Sequence, residues 1–127
     1  MASRAEIIAA CDAYLAAVSA RDPDAVMALY HDDARVEDPI GSEPKVGRDA
    51  IAGFYESMRD ATGIVVRRIG PVCVVGSHAA FLFGLTVTIG DEDHELCSID
   101  AMVFDDDGKI VSMTAHSDHE AVAPTPW

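Results

Sequence analysis

Positive charge is what this sequence most lacks. Nine Lys and Arg face 22 Asp and Glu, for a formal net charge of −13 at pH 7. A surface that negative repels nucleic acid and anionic membranes, and no run of basic residues offers a track for phosphates. Cysteine is scarce as well. Cys11, Cys73 and Cys97 are odd in number and widely spaced, which suggests neither a disulfide framework nor a CxxC site. They read as free thiols of a cytoplasmic protein. No segment reaches the roughly 20 apolar residues that span a bilayer, so membrane insertion is not expected. The glycines form no GxGxxG or P-loop, which removes the usual cradles for nucleotide phosphates. The run HSDHE tempts toward a metal, since His116, Asp118 and Glu120 would alternate onto one strand face. Without HExxH or facial-triad spacing, no metal is expected.

What is there is a chain of 127 residues, half of them hydrophobic. That supports one core with a cavity in it and not two cores, so residues 1–127 are read as a single domain. Ser3 and Glu6 fit a capping box. Behind them Ile7, Ile8, Cys11, Tyr14, Leu15 and Val18 recur at helical spacing, predicting a helix that ends near Ala20. Asp22 and Pro23 suit the cap and first turn of a short second helix, predicted to run to about Tyr30. RDAIAGFYESM predicts a third, with Ile51, Phe54, Tyr55 and Met58 on one face. From Gly63 the period becomes extended. IVVRRIGPVCVVG, HAAFLFGLTVTIG, HELCSIDAMVFD and KIVSMTAHSDH are strand candidates joined by short turns, the pattern of an antiparallel meander. Gly70, Pro71 and Gly84 predict sharp bends. The fold expected is α+β: three N-terminal helices on a strongly curved, mainly antiparallel sheet, shaped as a cone with a pocket between helices and sheet. The tail AVAPTPW reads as a loose end.

The stretch RVEDPI at 35–40 holds two adjacent carboxylates. If it is extended, Val36 and Asp38 share one face and Glu37 points the other way. Asp38 then points inward with Val36, held in one direction by the restriction that Pro39 imposes. The competing reading is an exposed Asp that starts a turn. Asp100 lies in ELCSIDAMVFD, where Ser98, Asp100, Met102 and Phe104 share a face. A carboxyl there is either paired with a base, structurally hydrogen-bonded, or held protonated. Tyr14 and Tyr55 fall on the apolar faces of their helices, and Tyr30 closes the second. A buried phenol needs a partner for its hydroxyl. Such a set suits proton transfer at a carbon beside a carbonyl. One ionised carboxylate takes the proton, and neutral O–H donors stabilise the charge that develops on the oxygen.

Tyr14 within CDAYLAAVSARDPDAVMALYHDDARVEDPIGSEP, the helix GRDAIAGFY and the tract SIDAMVFDDDGKIVSM carry a resemblance over almost the full length. The chain resembles the Δ5-3-ketosteroid isomerases (steroid Δ-isomerases) of the NTF2-like, SnoaL-like superfamily. The resemblance implies an NTF2-like cone, no cofactor, a hydrophobic steroid substrate and a homodimer built through the sheet. It assigns the general base to Asp38 and the oxyanion-hole donors to Tyr14 and Asp100, with Tyr30 and Tyr55 in supporting hydrogen bonds. The steroid pocket is expected to draw on Val18, Phe54, Met58, Val66, Phe81, Phe83, Leu85, Met102 and Met113. The family often places a bulky aromatic near the C-terminus, where this chain has His116 and Ser117, so these two are expected to make the deep wall more polar and less bulky, with His116 among the pocket residues. Two other readings stay open: a SnoaL-like cyclase or hydrolase acting on another hydrophobic carbonyl or epoxide compound, and a non-catalytic NTF2-like binding domain.

Overall fold

The computed structural model describes residues 1–121. Helix α1 (Arg4–Ser19) opens on the predicted capping box: the Glu6 N–H donates to Ser3 Oγ at 3.1 Å and the Ser3 N–H to Glu6 Oε1 at 3.2 Å. These bonds satisfy backbone donors that the first turn leaves free. Its buried stripe is Ile7, Cys11, Tyr14 and Leu15. Helix α2 (Pro23–Met27) is capped by Asp22, whose carboxylate accepts from the Ala25 N–H. It stops short of the predicted end. Tyr30 belongs instead to the first strand, β1 (Tyr30–Glu37). A two-residue strand, β2 (Lys45–Val46), leads into α3 (Arg48–Glu56) and a 3-10 turn, Ser57–Asp60.

The rest is sheet: β3 (Gly63–Val75), β4 (His78–Ile89), β5 (Glu92–Phe104) and β6 (Ile110–Asp118). These four form the predicted meander. The six strands run in the order β2-β1-β6-β5-β4-β3, with β1 parallel to β6 and the other pairs antiparallel.

The fold is α+β, as expected, but the strongly curved cone is not what forms. The sheet is mixed, largely antiparallel and not strongly curved. One reason is visible at Gly84, where a bend was predicted. It pairs with Arg67 on one side and Cys97 on the other, in a β4–β5 register unbroken from His78 to Ile89. A glycine that keeps both its ladders makes no corner. At Gly70 and Pro71 the ladder does shift. Between Ile69 and Cys73 the register advances four positions on β3 against two on β4, and Gly70 has φ +79°, a conformation that favours glycine. Two extra residues leave the alternation intact, so Arg68 and Val72 still share a face.

The helices cover one face of the sheet, with α1 over β3 and α3 against α2 and β1. Between them lies a core that includes Ile7, Val26, Val36, Ile51, Ile110 and Met113, all fully buried. Among the described residues no buried side-chain nitrogen or oxygen lacks a hydrogen-bond partner, and no helix is long and apolar enough to cross a membrane. Of the tail AVAPTPW, all but Ala121 lies outside the described residues.

Candidate active site

Alternation along β1 turns Ala34 and Val36 into the core, and Asp38, one step past the strand end, continues on that side. It lines a cavity of about 620 Å³, within the range usual for small-ligand sites. Glu37 goes the other way. Its carboxylate accepts from Arg35 at 3.0 Å and from the Gly41 N–H at 2.8 Å, and these bonds lower its pKa. Burial raises the pKa of Asp38, while the Lys45 ammonium and the Ser117 hydroxyl hold it down. The adjacent pair in RVEDPI thus divides: one carboxylate is used up by the surface turn and the other enters the cavity.

Asp100 enters the same cavity from the middle of β5 and is 1% exposed. Ser98 donates its hydroxyl to Asp100 Oδ1 at 2.9 Å. Burial, and next the charge of Asp38, push the carboxyl up to about 8 against Ser98's pull downward. At neutral pH this group keeps its proton and is an O–H donor.

Tyr14 faces the cavity from α1 and Tyr55 from α3. The Tyr55 hydroxyl lies 3.0 Å from that of Tyr14 and 2.7 Å from that of Tyr30. Burial raises all three phenols well above the ordinary value. Run in the sense Tyr30 to Tyr55 to Tyr14, the chain uses two protons internally and leaves the Tyr14 proton for the cavity.

The predicted pocket residues divide by position along the sheet. Val18, Phe54, Met58, Phe83 and Leu85 line the cavity, joined by Leu15, Ile64, Val87, Ile89 and Leu96, which the sequence reading did not single out. Phe81, Met102 and Met113 lie on the same sheet face but are packed into the core beyond the cavity floor, and Val66 packs against that core. His116 is on the opposite face, where it pairs with Ile99 across the β5–β6 ladder. Ser117 takes the inward place instead, and its Oγ lies 3.2 Å from that of Ser98. The sequence reading set Ser98 on the face of Asp100 and Ser117 in a polar wall, and it did not assign Ser57, Asp60 and His119, which also line the cavity. Among the described residues no group of three or more His, Cys, Asp or Glu is placed to hold a metal ion.

Comparison with known proteins agrees with this architecture. A SnoaL-like domain model matches residues 11–113. A steroid Delta-isomerase of Nocardioides simplex is 43% identical over 111 residues, which cover 87% of this chain and 89% of that protein. The solved structure of the epoxide hydrolase/cyclase-like enzyme SalBIII, with a role in pyran ring formation in the polyether salinomycin, superposes with a TM-score of 0.84. It is 21% identical and covers 93% of this chain and 95% of that one, a likeness that speaks for the fold alone. With a family model matched over most of its length, this chain belongs to the SnoaL-like family and is closely related in sequence to a steroid Delta-isomerase.

Proposed function

We propose that the protein is a steroid Δ-isomerase that converts 3-oxo-Δ5-steroids to 3-oxo-Δ4-steroids. The observation that carries this reading is one apolar cavity holding a half-buried carboxylate, Asp38, together with two buried groups that keep their protons, Tyr14 and Asp100. Asp38 takes a proton from C4. The C4–H pair becomes the C3–C4 double bond, and the carbonyl pair moves onto oxygen. Tyr14 and Asp100 donate to that oxygen as its charge grows, which stabilises the dienolate more than the ketone. Asp38 then returns the proton to C6, the 4,5 double bond forms and the carbonyl is restored. Protons and electron pairs balance among the steroid and one carboxylate, so the reaction as written requires no cofactor. Phe54, Met58, Phe83, Leu85 and Val87 supply the apolar walls a rigid polycycle needs.

The test is spectrophotometric. With 5-androstene-3,17-dione, formation of the conjugated enone raises ultraviolet absorbance that the substrate lacks. Folded protein that produces no enone overturns the reading. We further propose a cytoplasmic homodimer joined through the outer sheet face, which leaves Ile99 46% and Val75 77% exposed in the single chain. An Ile99→Asp variant that keeps the wild-type molecular mass in light scattering would exclude that interface. A second reading rests on the hydroxyls of Ser98 and Ser117 in the wall. They suit a cyclase or hydrolase of a hydrophobic epoxide, with Asp38 as base toward a hydroxyl or water and Asp100 as the acid. Turnover of an epoxide substrate in place of enone formation would favour it.

A further inference from the structure

The cavity runs along the sheet, and strand pairing gives it a scale. Asp100, at the floor, pairs with Phe81 on β4, and Ile89, at the other end, pairs with Glu92. The register is unbroken between those pairs. At the rise of an antiparallel strand, about 3.4 Å per residue, Ile89 stands roughly 26 Å from the level of Asp100. The inward positions on the way are Phe83, Leu85 and Val87, one at every second residue. A steroid nucleus is shorter. Fused six-membered rings built from ~1.5 Å carbon–carbon bonds repeat every ~2.5 Å, so four of them reach roughly 10 Å. With its 3-oxygen at Tyr14 and Asp100, the nucleus ends between Leu85 and Val87.

The apolar wall does not end there. Ile64, across from Val87 on β3, and then Ile89 carry it on. Ile89 is 56% exposed, an apolar side chain at the mouth that the rings do not reach. The charges at this end are mainly negative. Asp60 lines the cavity from the 3-10 turn, and Asp91, Glu92 and Asp93 follow Ile89 in the chain. Arg59, next to Asp60, is engaged with Glu56 and Asp24, and His94 with Glu92. His119 is one alternation past Ser117, which pairs with Ser98, so it stands short of Val87.

We propose that the substrate is a 3-oxo-Δ5-steroid carrying an uncharged aliphatic side chain at C17, and that Ile64, Val87 and Ile89 determine this specificity. The direction in which the steroid lies is taken from the isomerase reading. A C17 side chain continues the long axis of the rings, so it passes Val87 and Ile64 and reaches Ile89. Each methylene taken out of water strengthens binding about fourfold. A terminal carboxylate would instead meet Asp60 and the acidic turn and lose part of its hydration.

The test measures binding of reaction products, so it needs no turnover. Equilibrium dialysis, with cyclodextrin as carrier, compares three 3-oxo-Δ4-steroids that differ at C17. They are 4-androsten-3-one without a side chain, 4-cholesten-3-one with a saturated one, and 3-oxo-4-cholenoic acid with a shorter one ending in a carboxylate. From the first to the second, Kd is expected to fall roughly 10- to 100-fold, as two or three buried methylenes require. For the acid, ionised at neutral pH, no such fall is expected. Ile89→Asn changes an exposed position and should cut the ratio between the first two about threefold or more. Equal Kd values for the first two, a ratio unmoved by Ile89→Asn, or an acid that binds as tightly as 4-cholesten-3-one would each overturn the C17 specificity. If none of the three binds, the specificity falls together with the steroid reading. The expected C17 preference without enone formation in the isomerase assay would refute the reaction and leave the ligand class standing.

Discussion

The cavity has two chemically different ends. At the floor, Tyr14, Tyr55 and Asp100 are almost fully buried, the hydroxyls of Tyr14 and of Tyr30 behind it both meeting that of Tyr55 and Asp100 accepting from Ser98. At the mouth, Asp38 is half-buried beside Lys45 and Ser117, with Asp60 and His119 on the rim. Burial raises every acid at the floor, so each keeps its proton at neutral pH and becomes a donor. At the mouth burial also raises Asp38, but a nearby ammonium and a hydroxyl oppose it, and in the proposed reaction this carboxylate is the base. On the proposed reaction, two aspartates of the same intrinsic acidity take opposite roles through solvent access and one lysine. The sharpest ways to break this contrast are substitutions that keep shape and change only the proton chemistry.

The largest effect is expected at the mouth. Asp38→Asn preserves shape and removes basicity, so kcat should fall by roughly 10²–10⁴-fold while a product-like steroid still binds. A near wild-type rate would move the base elsewhere, with Glu37 the first candidate. At the floor, Tyr14→Phe and Asp100→Ala each remove one donor, and losses of roughly 10²–10³ in kcat are expected. Because one donor partly covers for the other, the double variant should fall short of the product of the singles. Asp100→Asn decides the chemistry at that position. Its amide can still donate, so it should be milder than Asp100→Ala. Equal damage from both would make Asp100 a base and erase the difference between the two ends.

The same contrast has a stability signature. The Asp100 carboxyl sits at about 8 in the folded chain against an ordinary 3.8. Between those values the folded state holds a proton that the unfolded state has lost. Stability associated with this group is therefore complete below about pH 4, falls as pH rises, and levels off above about pH 8. Asp100→Asn never titrates and keeps an oxygen for the Ser98 hydroxyl. Its Tm should exceed the wild type's at pH 8 to 9, with the gain shrinking as pH is lowered toward 4. A constant Tm difference across that range would mean that Asp100 is not held protonated by the fold.

Face was legible in the sequence; depth was not. Strict alternation placed Asp38 with Val36 and Asp100 with Ser98 and Met102, and the structure puts those side chains on those faces. It could not say where along the strands the helices stop covering the sheet. Hence Phe81, Met102 and Met113 were assigned to the pocket and belong to the core, while Val87, Ile89 and Leu96, farther along the same face, line the opening. Family resemblance put His116 and Ser117 together in the deep wall, although alternation with Met113 and Ala115 admits only Ser117 there. Local turns revealed the four-stranded meander, but the β1–β6 pairing joins Val36 to Met113, and no turn chemistry encodes a contact so distant in the chain. Glycine signalled a ladder shift at Gly70 and nothing at Gly84, because a residue able to bend does so only where its neighbours give up their hydrogen bonds.

The smallest expected effect is the most discriminating about the mouth. Lys45 acts on Asp38 through charge, and it also lies 5.0 Å from the Phe54 ring centroid, over a wall of the cavity. Lys45→Gln keeps much of the stem and removes the charge. If the charge is what matters, the Asp38 pKa rises. The acid limb of kcat/KM, which marks ionisation of the base in the free enzyme, should move to higher pH by a few tenths of a unit, roughly what a screened, half-exposed pair supplies. Rates well above that limb should match the wild type. Raising the salt to about 1 M, where screening acts over roughly 3 Å, should shrink the difference. A loss of equal size at every pH, indifferent to salt, would show instead that Lys45 works by holding Phe54 in place. The base would then owe its ionisation to solvent and Ser117 alone, and the mouth would differ from the floor in exposure rather than in charge.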